Sequence, residues 1–278
     1  MYLTFLKRIV VFIGLTVLTQ VGGIVYLFYI LLKRLIEHRL NKSLKWPVRL
    51  SFFSCLYLMS TFVIIPPIAK QFGRVPMPYF ATNKAPVQPL TVLTVLLNRH
   101  YVKPPLKKQI LAITKPLQQS LDNKPILINY LDANFPFVDG FPLLPHLSHD
   151  DGEKIDLAFV YKDAQTGKIL NDSPSWIGYG VNEAPKKGEV NQPAICAKKG
   201  HWQYSILETI TPQWKKEKLV VHEQATKRLL QLLVQRKTVK KIFLEPHLTT
   251  RWGLQGYDKI RYHGCHAVRH DDHIHVQL

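Results

Sequence analysis

The chain has 278 residues, enough for one domain of ordinary size and additional segments. Hydrophobic residues make up 46% and charged residues 20%, a composition that excludes a mostly disordered protein. The net charge of +18 favours an anionic partner such as nucleic acid, anionic lipid or an anionic polymer. None of the three cysteines forms a CxxC pair, which excludes a cysteine-rich zinc site.

The first long apolar run covers residues 9–32 and contains no charged side chain. A helix of about 20 apolar residues spans the hydrocarbon core of a bilayer. The run is longer than the apolar core of a cleavable signal peptide, and basic residues follow it directly. It therefore predicts a transmembrane helix.

A second apolar run covers residues 51–69 and contains Pro66 and Pro67 near its end. Proline suits a helix exit because it cannot continue the hydrogen-bond ladder. The run predicts a second transmembrane helix. The alternative is a hairpin that lies half-buried at the membrane interface.

Basic residues predict the orientation of these helices. Residues 1–70 hold nine Lys/Arg and one acidic residue, and most of them lie between the two runs. Because basic loops stay in the cytoplasm, we expect the loop inside and both the N-terminus and everything after Lys70 outside. Residues 1–70 are then a two-helix anchor in the cytoplasmic membrane. An extracytoplasmic location of the rest excludes nucleic acid and favours an anionic polymer or a membrane surface as partner.

Residues 71–105 are rich in proline and lack a clear period, which predicts a linker. Residues 106–278 have the pattern of an α+β domain with a small antiparallel sheet and flanking helices. Helices are predicted at 106–121 and 219–236. Strands are predicted at 125–131, 155–161, 239–244 and 273–278, and the stretch 171–201 has no clear element.

A histidine and an aspartate flank a glycine-containing turn. His149 lies in a predicted loop, and Asp156 lies near the start of the apolar strand that follows. The loop histidine can therefore fold back beside the carboxylate. Imidazole nitrogen and carboxylate oxygen are both good zinc ligands.

Five of the twelve histidines crowd the last stretch of the chain. His273 and His275 alternate with Ile274 and Val276, so in a strand both histidines point to one face and the apolar pair points to the core. Two histidines and one aspartate, with a water, describe a catalytic rather than a structural zinc site. The histidine of the pair His273 and His275 that does not bind zinc can act as a base or stabilise a developing oxyanion.

Two stretches, each beside a predicted strand, resemble motifs of one metallopeptidase family. The first is Pro145-His146-x-Ser148-His149-x-x-Gly152-x-x-x-Asp156, and the second is RHDDHIHV at residues 269–276. Residues 241–246 (KIFLEP) resemble the strand and turn that precede the second motif. The family groups lysostaphin, the D-Ala-D-Ala peptidases and the hedgehog signalling domain. Within it, the likeness is greater to the penicillin-insensitive murein endopeptidases, over roughly residues 125–278.

The resemblance implies one zinc ion per chain, bound by His149, Asp156 and His275. It implies that His273 is the catalytic histidine, that His270 assists it and that His146 lines the site. The implied activity is hydrolysis of amide bonds in peptidoglycan peptides by a membrane-anchored, periplasmic murein endopeptidase. A D,D-carboxypeptidase or amidase of the same fold, and a non-catalytic module that binds zinc or wall peptides, are the alternatives.

The chain departs from the family pattern near both motifs. Lys154 stands two residues before Asp156, where the family has a small or apolar residue, and residues 265–268 (CHAV) replace tryptophans. These differences leave the choice of substrate open.

Several other side chains have two interpretations. Cys196 and Cys265 could form a disulfide if the domain is extracytoplasmic, but the sequence leaves their pairing open, and Cys55 is interpreted as a buried apolar residue. His263 and His266 either line the site or are plain loop residues, and we favour the loop. Tyr179 in the stretch 171–201 is interpreted as a packing residue. The sequence predicts no oligomeric state.

Overall fold

Apolar helices precede a mixed sheet in the computed structural model, which describes residues 2–37, 42–121 and 126–278. The α-helices are α1 (Tyr2–Thr19), α2 (Gly22–Glu37), α3 (Lys42–Met59), α4 (Ile65–Gln71), α5 (Val92–Leu96), α6 (Pro104–Gln119), α7 (Gln192–Lys198), α8 (Ile206–Ile210), α9 (Glu223–Val234) and α10 (Pro246–Arg251). The strands are β1 (Val75–Pro76), β2 (Val87–Pro89), β3 (Tyr101–Val102), β4 (Ile128–Tyr130), β5 (Lys154–Ala158), β6 (Tyr161–Asp163), β7 (Ile169–Leu170), β8 (Leu219–Val221), β9 (Lys241–Phe243), β10 (Ile260–Arg261) and β11 (His273–Gln277). A π-helical segment (Ser60–Ile64) joins α3 to α4, and a 3-10 turn (Trp202–Ser205) precedes α8.

The first predicted transmembrane helix is two helices rather than one. The chain breaks at Gln20, whose φ of 63° is left-handed, and α2 folds back against α1. Gly23 permits this close return, because a Cβ there would meet Thr16 Oγ1 at 2.0 Å and Phe12 O at 2.9 Å. Gln20 Oε1 accepts a hydrogen bond from Phe137 N at 2.8 Å. The sequence pattern missed the break because glutamine and glycine also occur inside continuous membrane helices.

The hairpin changes the predicted orientation. α2 also packs antiparallel to α3, with the rings of Tyr26 and Tyr29 lying 6.3 and 5.6 Å from that of Phe53. The start of α1 therefore lies at the same end of the helices as the end of α2 and the start of α3, and the domain lies at the other end. This arrangement does not favour the expected orientation, in which the N-terminus and the domain share one side of a membrane, and the side on which each lies stays a prediction. Lys7 and Arg8 of α1 lie towards the same end as Lys45 of α3.

The second apolar run forms a longer helix than predicted. α3, the π-helical segment and α4 follow one another without a gap. Pro66 and Pro67 do not end the helix but lie in the first turn of α4, after the register has shifted in the π-helical segment. Among the described residues, α1 and the helix Ser43–Gln71 are long and apolar enough to span a membrane. The apolar part of α2, Gly22–Lys33, is shorter.

The main sheet has six strands in the order β10-β9-β11-β5-β4-β2. Its centre, β9-β11-β5-β4, is antiparallel as predicted, whereas the outer pairs β10-β9 and β4-β2 are parallel. A second, antiparallel sheet has the order β7-β6-β8, and β1 pairs with β3. The predicted α+β class with apolar N-terminal helices is thus confirmed.

Helices α6 and α9 pack together over a shared hydrophobic core with the main sheet. The core side chains of these elements include Leu106, Ile110, Leu117, Leu229, Leu233, Ile155, Leu157, Ile274 and Val276. Full burial of each such aliphatic side chain stabilises the fold by about 1.5–3 kcal/mol. Because side chains alternate along a strand, this core determines which residues of β5 and β11 face away from it.

Residues 71–105 are part of the folded domain rather than a linker. β2 pairs with β4 at one edge of the main sheet, with Val87 opposite Ile128, and Val87 is fully buried. β1 and β3 pair with each other within the same segment. Strands of two or three residues that include proline have too little periodicity to be read from sequence.

The predicted helix 219–236 is a strand followed by a helix. β8 pairs with β6, and the ring of His222 caps α9 by accepting from Ala225 N at 3.2 Å. Residues 155–161 likewise divide between β5 and β6, and α7 lies within the stretch 171–201, for which the sequence predicts no clear element. The predicted helix 106–121 is confirmed as α6, and the strands at 239–244 and 273–278 as β9 and β11. The strand predicted at 125–131 is β4. The first residue of the predicted range, Pro125, lies outside the described residues.

Candidate metal centre

The two central strands place an aspartate and a histidine side by side. In the antiparallel pairing of β5 with β11, Asp156 lies opposite His275. Ile274 and Val276 are fully buried in the core, so His273 and His275 share the other face. A slip of one residue would move these apolar side chains out of the core. Hydrophobic burial therefore fixes the register that brings Asp156 to His275.

A tight turn brings His149 to the same place. Gly152 has a left-handed φ of 81°, and its N–H donates to Asn134 Oδ1 at 3.0 Å. His149 Nδ1 lies 2.7 Å from the Ala133 carbonyl oxygen. Because a carbonyl oxygen can only accept, we assign a proton to Nδ1, so Nε2 is the nitrogen that a metal would bind.

Three ligand atoms converge at this point. His275 Nδ1 lies 2.9 Å from Asp156 Oδ1, and His149 Nε2 lies 3.1 Å from the first and 3.3 Å from the second. Ligand atoms about 2.0–2.1 Å from a tetrahedral zinc ion are about 3.3 Å apart. The donor atoms and their spacing therefore fit such an ion, and this buried group could hold a metal.

His273 lies beside the three ligand atoms. Its Nε2 is 3.7 Å from Asp156 Oδ2, and its Nδ1 contacts Asp272 Oδ1. The other oxygen of Asp272 accepts from Gly180 N, which holds the carboxylate in place. A carboxylate on Nδ1 fixes the orientation of an imidazole and directs its Nε2 towards the reacting groups.

The second oxygen of Asp156 has partners of its own. The hydroxyl of Tyr179 donates to Asp156 Oδ2 at 2.8 Å and accepts from Asp132 N at 3.1 Å. His146 Nδ1 lies 3.3 Å from Asp132 Oδ2 and 3.5 Å from Asp156 Oδ2. Arg99 pairs with Asp132 at 3.2 Å. These contacts orient Asp156 so that Oδ1 faces the two ligand histidines, a support that metal-binding carboxylates commonly have.

Mutual proximity sets the charges in this buried cluster. Burial works to raise the pKa of Asp156, but His149 and His273 hold that pKa well below its usual range. Burial also opposes the charged form of His273, yet Asp156 and Asp272 raise its pKa to about 9. Burial lowers the pKa of His275 to about 4. The cluster therefore favours an ionised carboxylate and a neutral His275, the forms in which both residue types bind metals.

The cluster lies in a cleft of about 460 Å³. His146 and His270 are on its wall, where they were expected. His263 and His266 also line the cleft, so the interpretation of both as plain loop residues is wrong. The ring of His263 stacks on Phe243 of β9, with centroids 4.1 Å apart. These contacts bring the segment after β10 to the cleft, which the sequence pattern does not reveal.

Arg74 closes the loop that carries His149. It follows α4 by three residues, and its side chain is 1% exposed. Its guanidinium donates to the Phe135 carbonyl, to the carboxylate of Asp139 and, at 3.1 Å, to the Asp150 carbonyl. The two carbonyls belong to the two ends of the loop 135–150, so Arg74 holds these two ends together.

A disulfide joins Cys196 of α7 to Cys265. Gln203 and Ile206, which follow Cys196, and residues 266–268, which follow Cys265, all line the cleft. The bond therefore ties together two segments of the cleft wall. Cys55 is a free thiol on the exposed surface of α3 rather than a buried apolar residue.

The sequence did not point to several residues that support the site. The interpretation of Tyr179 as packing missed its hydrogen bond to Asp156. Asp272 has a signal, since it directly precedes His273, but Asp132 and Arg74 have none because they are distant in sequence from both motifs.

A scan against known protein families and a search of curated proteins found no match for the chain.

Proposed function

We propose that the chain is a membrane-anchored zinc peptidase that hydrolyses amide bonds in peptidoglycan peptides, as a murein endopeptidase does. The carrying observation is that His149 Nε2, Asp156 Oδ1 and His275 Nδ1 lie within 3.3 Å of one another in a cleft. Three protein ligands leave one zinc position open, which is typical of catalytic sites. The choice of wall peptides as substrate rests on the resemblance of the two sequence motifs.

The protein's residues fix the donor atoms before metal and substrate arrive. The Ala133 carbonyl holds the ring of His149, and Tyr179 holds the carboxylate of Asp156. When bound, zinc supplies a Lewis acid that polarises the scissile carbonyl and makes water a better nucleophile at neutral pH. Preorganisation of this kind reduces the rearrangement that the reaction needs.

His273 is the proton carrier in this proposal. Asp272 holds its Nδ1, so its Nε2 faces the side of the cluster where Asp156 Oδ2 lies. From there, Nε2 can exchange a proton with a reacting group or stabilise charge that develops on the scissile carbonyl oxygen. Burial holds the pKa of His270 well below its usual range. A neutral His270 assists by hydrogen bonding without adding charge.

The anchor and the disulfide support an extracytoplasmic location. Basic residues of α1 and of the start of α3 lie at one end of the helices and the domain at the other, and under the positive-inside rule this supports a domain outside the cytoplasm. The Cys196–Cys265 disulfide fits the same location, because disulfides persist in oxidising compartments.

The first test is the metal content of the purified full chain, beside the variants His149→Ala and His201→Ala. His201 is a matched control because it lies outside the ligand cluster. We expect one zinc per chain in the wild type and in His201→Ala, and none in His149→Ala. In the same preparations, mass spectrometry of digested peptidoglycan should show amide cleavage only where zinc is retained.

Two outcomes would contradict the proposal. Full cleavage activity in His149→Ala would exclude this site as the catalytic centre. One zinc per chain without cleavage of any wall peptide would favour the binding module. The masses of the products distinguish an endopeptidase from a carboxypeptidase or an amidase.

A further inference from the structure

The domain packs against the side of the helix Ser43–Gln71 rather than only against its end. Tyr57, in the last turn of α3, donates from its hydroxyl to Leu96 O at 2.6 Å and accepts from Asn98 Nδ2 at 3.0 Å. About two to three turns further along, Ile65 and Ala69 of α4 lie in one buried cluster with the domain's Tyr101 and with Val21. The contact between helix and domain therefore extends from Tyr57 to Ala69, about 18 Å at a helical rise of 1.5 Å per residue.

This contact is too long to lie wholly outside a membrane that the helix spans. The last charged residue before the apolar stretch is Arg49, and the helix from Arg49 to Tyr57 is only about 12 Å long. A hydrocarbon core is about 30 Å thick. If lipid ended where the domain begins, the helix would cover less than half of the core. Lipid must therefore extend beside the domain, along the face of the helix that the domain leaves open.

That open face is apolar, and it continues onto the domain. On the helix, the side chains of Val63 and Phe72 are 65% and 52% exposed. The ring of Phe62 meets Tyr79, next to Phe80, at 5.5 Å, and the ring of Phe72 meets Phe137, next to Val138, at 5.2 Å. Phe80 is 80% exposed and Val138 is 55% exposed. Phe80 and Val138 together are called the apolar edge below.

We infer that the apolar edge of the domain is inserted into the outer leaflet of the membrane. The inference rests on the proposed membrane anchoring. Loop backbone cannot face the hydrocarbon core, so the edge lies at the interfacial layer, where aromatic side chains are favoured. The partner is thus lipid, in continuity with the apolar face of the helix.

The insertion has a consequence for the proposed substrate. Val138 opens the loop that leads to His146 and His149, and Leu147 of this loop is exposed and lines the cleft. The metal-binding loop is therefore held at the membrane surface. The substrate class that fits is a wall peptide presented close to the membrane.

The test uses nitroxide labels on the full chain in lipid nanodiscs. Cys55→Ser removes the free thiol, and the disulfide keeps the other two cysteines unreactive. Single cysteines are then introduced as Phe80→Cys, Val138→Cys and Val63→Cys, with Val190→Cys as the matched control. Val190 is a domain residue as exposed as Val138, at 52%. Accessibility of each label to oxygen and to a water-soluble nickel complex is measured by power saturation.

Labels at residues 80 and 138 should have a ratio of oxygen to nickel accessibility severalfold higher than the label at residue 190. If the label at residue 63 is accessible to nickel, membrane anchoring itself fails. If residue 63 is in lipid while residues 80 and 138 are open to nickel, anchoring stands and the insertion is wrong. Labels at residues 80 and 138 that are shielded from both reagents would indicate a protein partner and also overturn the inference.

Discussion

The N-terminal helices and the candidate metal-binding face of the main sheet depart from the usual burial pattern in opposite ways. On the helices, large apolar side chains such as Val63 and Leu31 face outward. On the sheet, Asp156 and the histidines around it are buried. Exposed apolar surface is stable where the solvent is lipid, and buried titratable groups are stable where they neutralise one another or bind a cation. The proposed lipid and metal surroundings would stabilise these two departures.

The two regions are joined by specific contacts rather than by a flexible tether. Gln20 at the apex of the α1–α2 hairpin binds the backbone of Phe137, and Arg74 after α4 binds Phe135 and Asp150. Both contacts reach the loop that carries His149. The comparison can be sharpened by changing one side chain in each class of environment.

The largest effect is expected at His273. The variant His273→Ala removes the proposed proton carrier but none of the three candidate ligand atoms. Cleavage of wall peptides should fall about 10³-fold with zinc content unchanged, since general acid–base groups contribute about 10²–10⁴. Rate and zinc content are measured on the same preparation. A variant that loses its zinc would show instead that His273 is needed to assemble the site.

Removal of the disulfide should have the next largest effect. The double variant Cys196→Ser/Cys265→Ser frees segments that are 69 residues apart in sequence. Loss of this constraint on the unfolded chain should lower the free energy of unfolding by about 4 kcal/mol. Denaturant unfolding in detergent measures the change, and Cys55→Ser is the control. A loss no larger than the control's would show that packing alone holds the cleft wall.

Variants of Arg74 test the contact between the N-terminal helices and the domain. The variant Arg74→Ala leaves the buried Phe135 carbonyl without its donor and should cost about 3 kcal/mol of stability. Zinc affinity should fall as well, because the two ends of the loop that carries His149 are no longer held together. Arg74→Lys keeps the charge but loses the planar guanidinium, whose several N–H groups donate at once, so an intermediate effect is expected. The control Asp139→Asn should cost less, since Asp139 is 64% exposed. Equal losses in Asp139→Asn and Arg74→Ala would contradict the role assigned to the carbonyl contacts.

The smallest effect is expected from His100, a buried histidine outside the metal centre. Burial, assisted by nearby Lys107, lowers its pKa to about 3. A lowered folded-state pKa contributes stability that is fully present above the unfolded pKa of about 6.5 and is lost as the pH falls towards 3. His100→Phe removes this loss while keeping a ring beside Tyr79 and Tyr101.

The measurement is the free energy of unfolding of both proteins at a series of pH values below 6.5. The wild type should lose stability faster than His100→Phe, by up to about 1.4 kcal/mol per pH unit. Parallel pH profiles would show that His100 titrates normally in the folded protein.

The sequence determined the features that depend on local pattern. Alternation of His273 and His275 with Ile274 and Val276 predicted both a strand and its site-facing side, and the structure has both. The long apolar runs predicted the N-terminal helices, and the spacing in α6 predicted an amphipathic helix. The convergence of His149 with Asp156 was predictable because only a short turn separates them.

Only the tertiary structure decided the features that depend on long-range contact. Gln20 breaks the first apolar run, a position that a residue distant in sequence, Phe137, stabilises. Val87 is recognisable as a sheet residue only because β4 lies beside it. Tyr179 and Arg74 support the site from segments without a local motif. Local periodicity records which face of an element is apolar, whereas the identity of the neighbour across that face depends on how the whole chain packs.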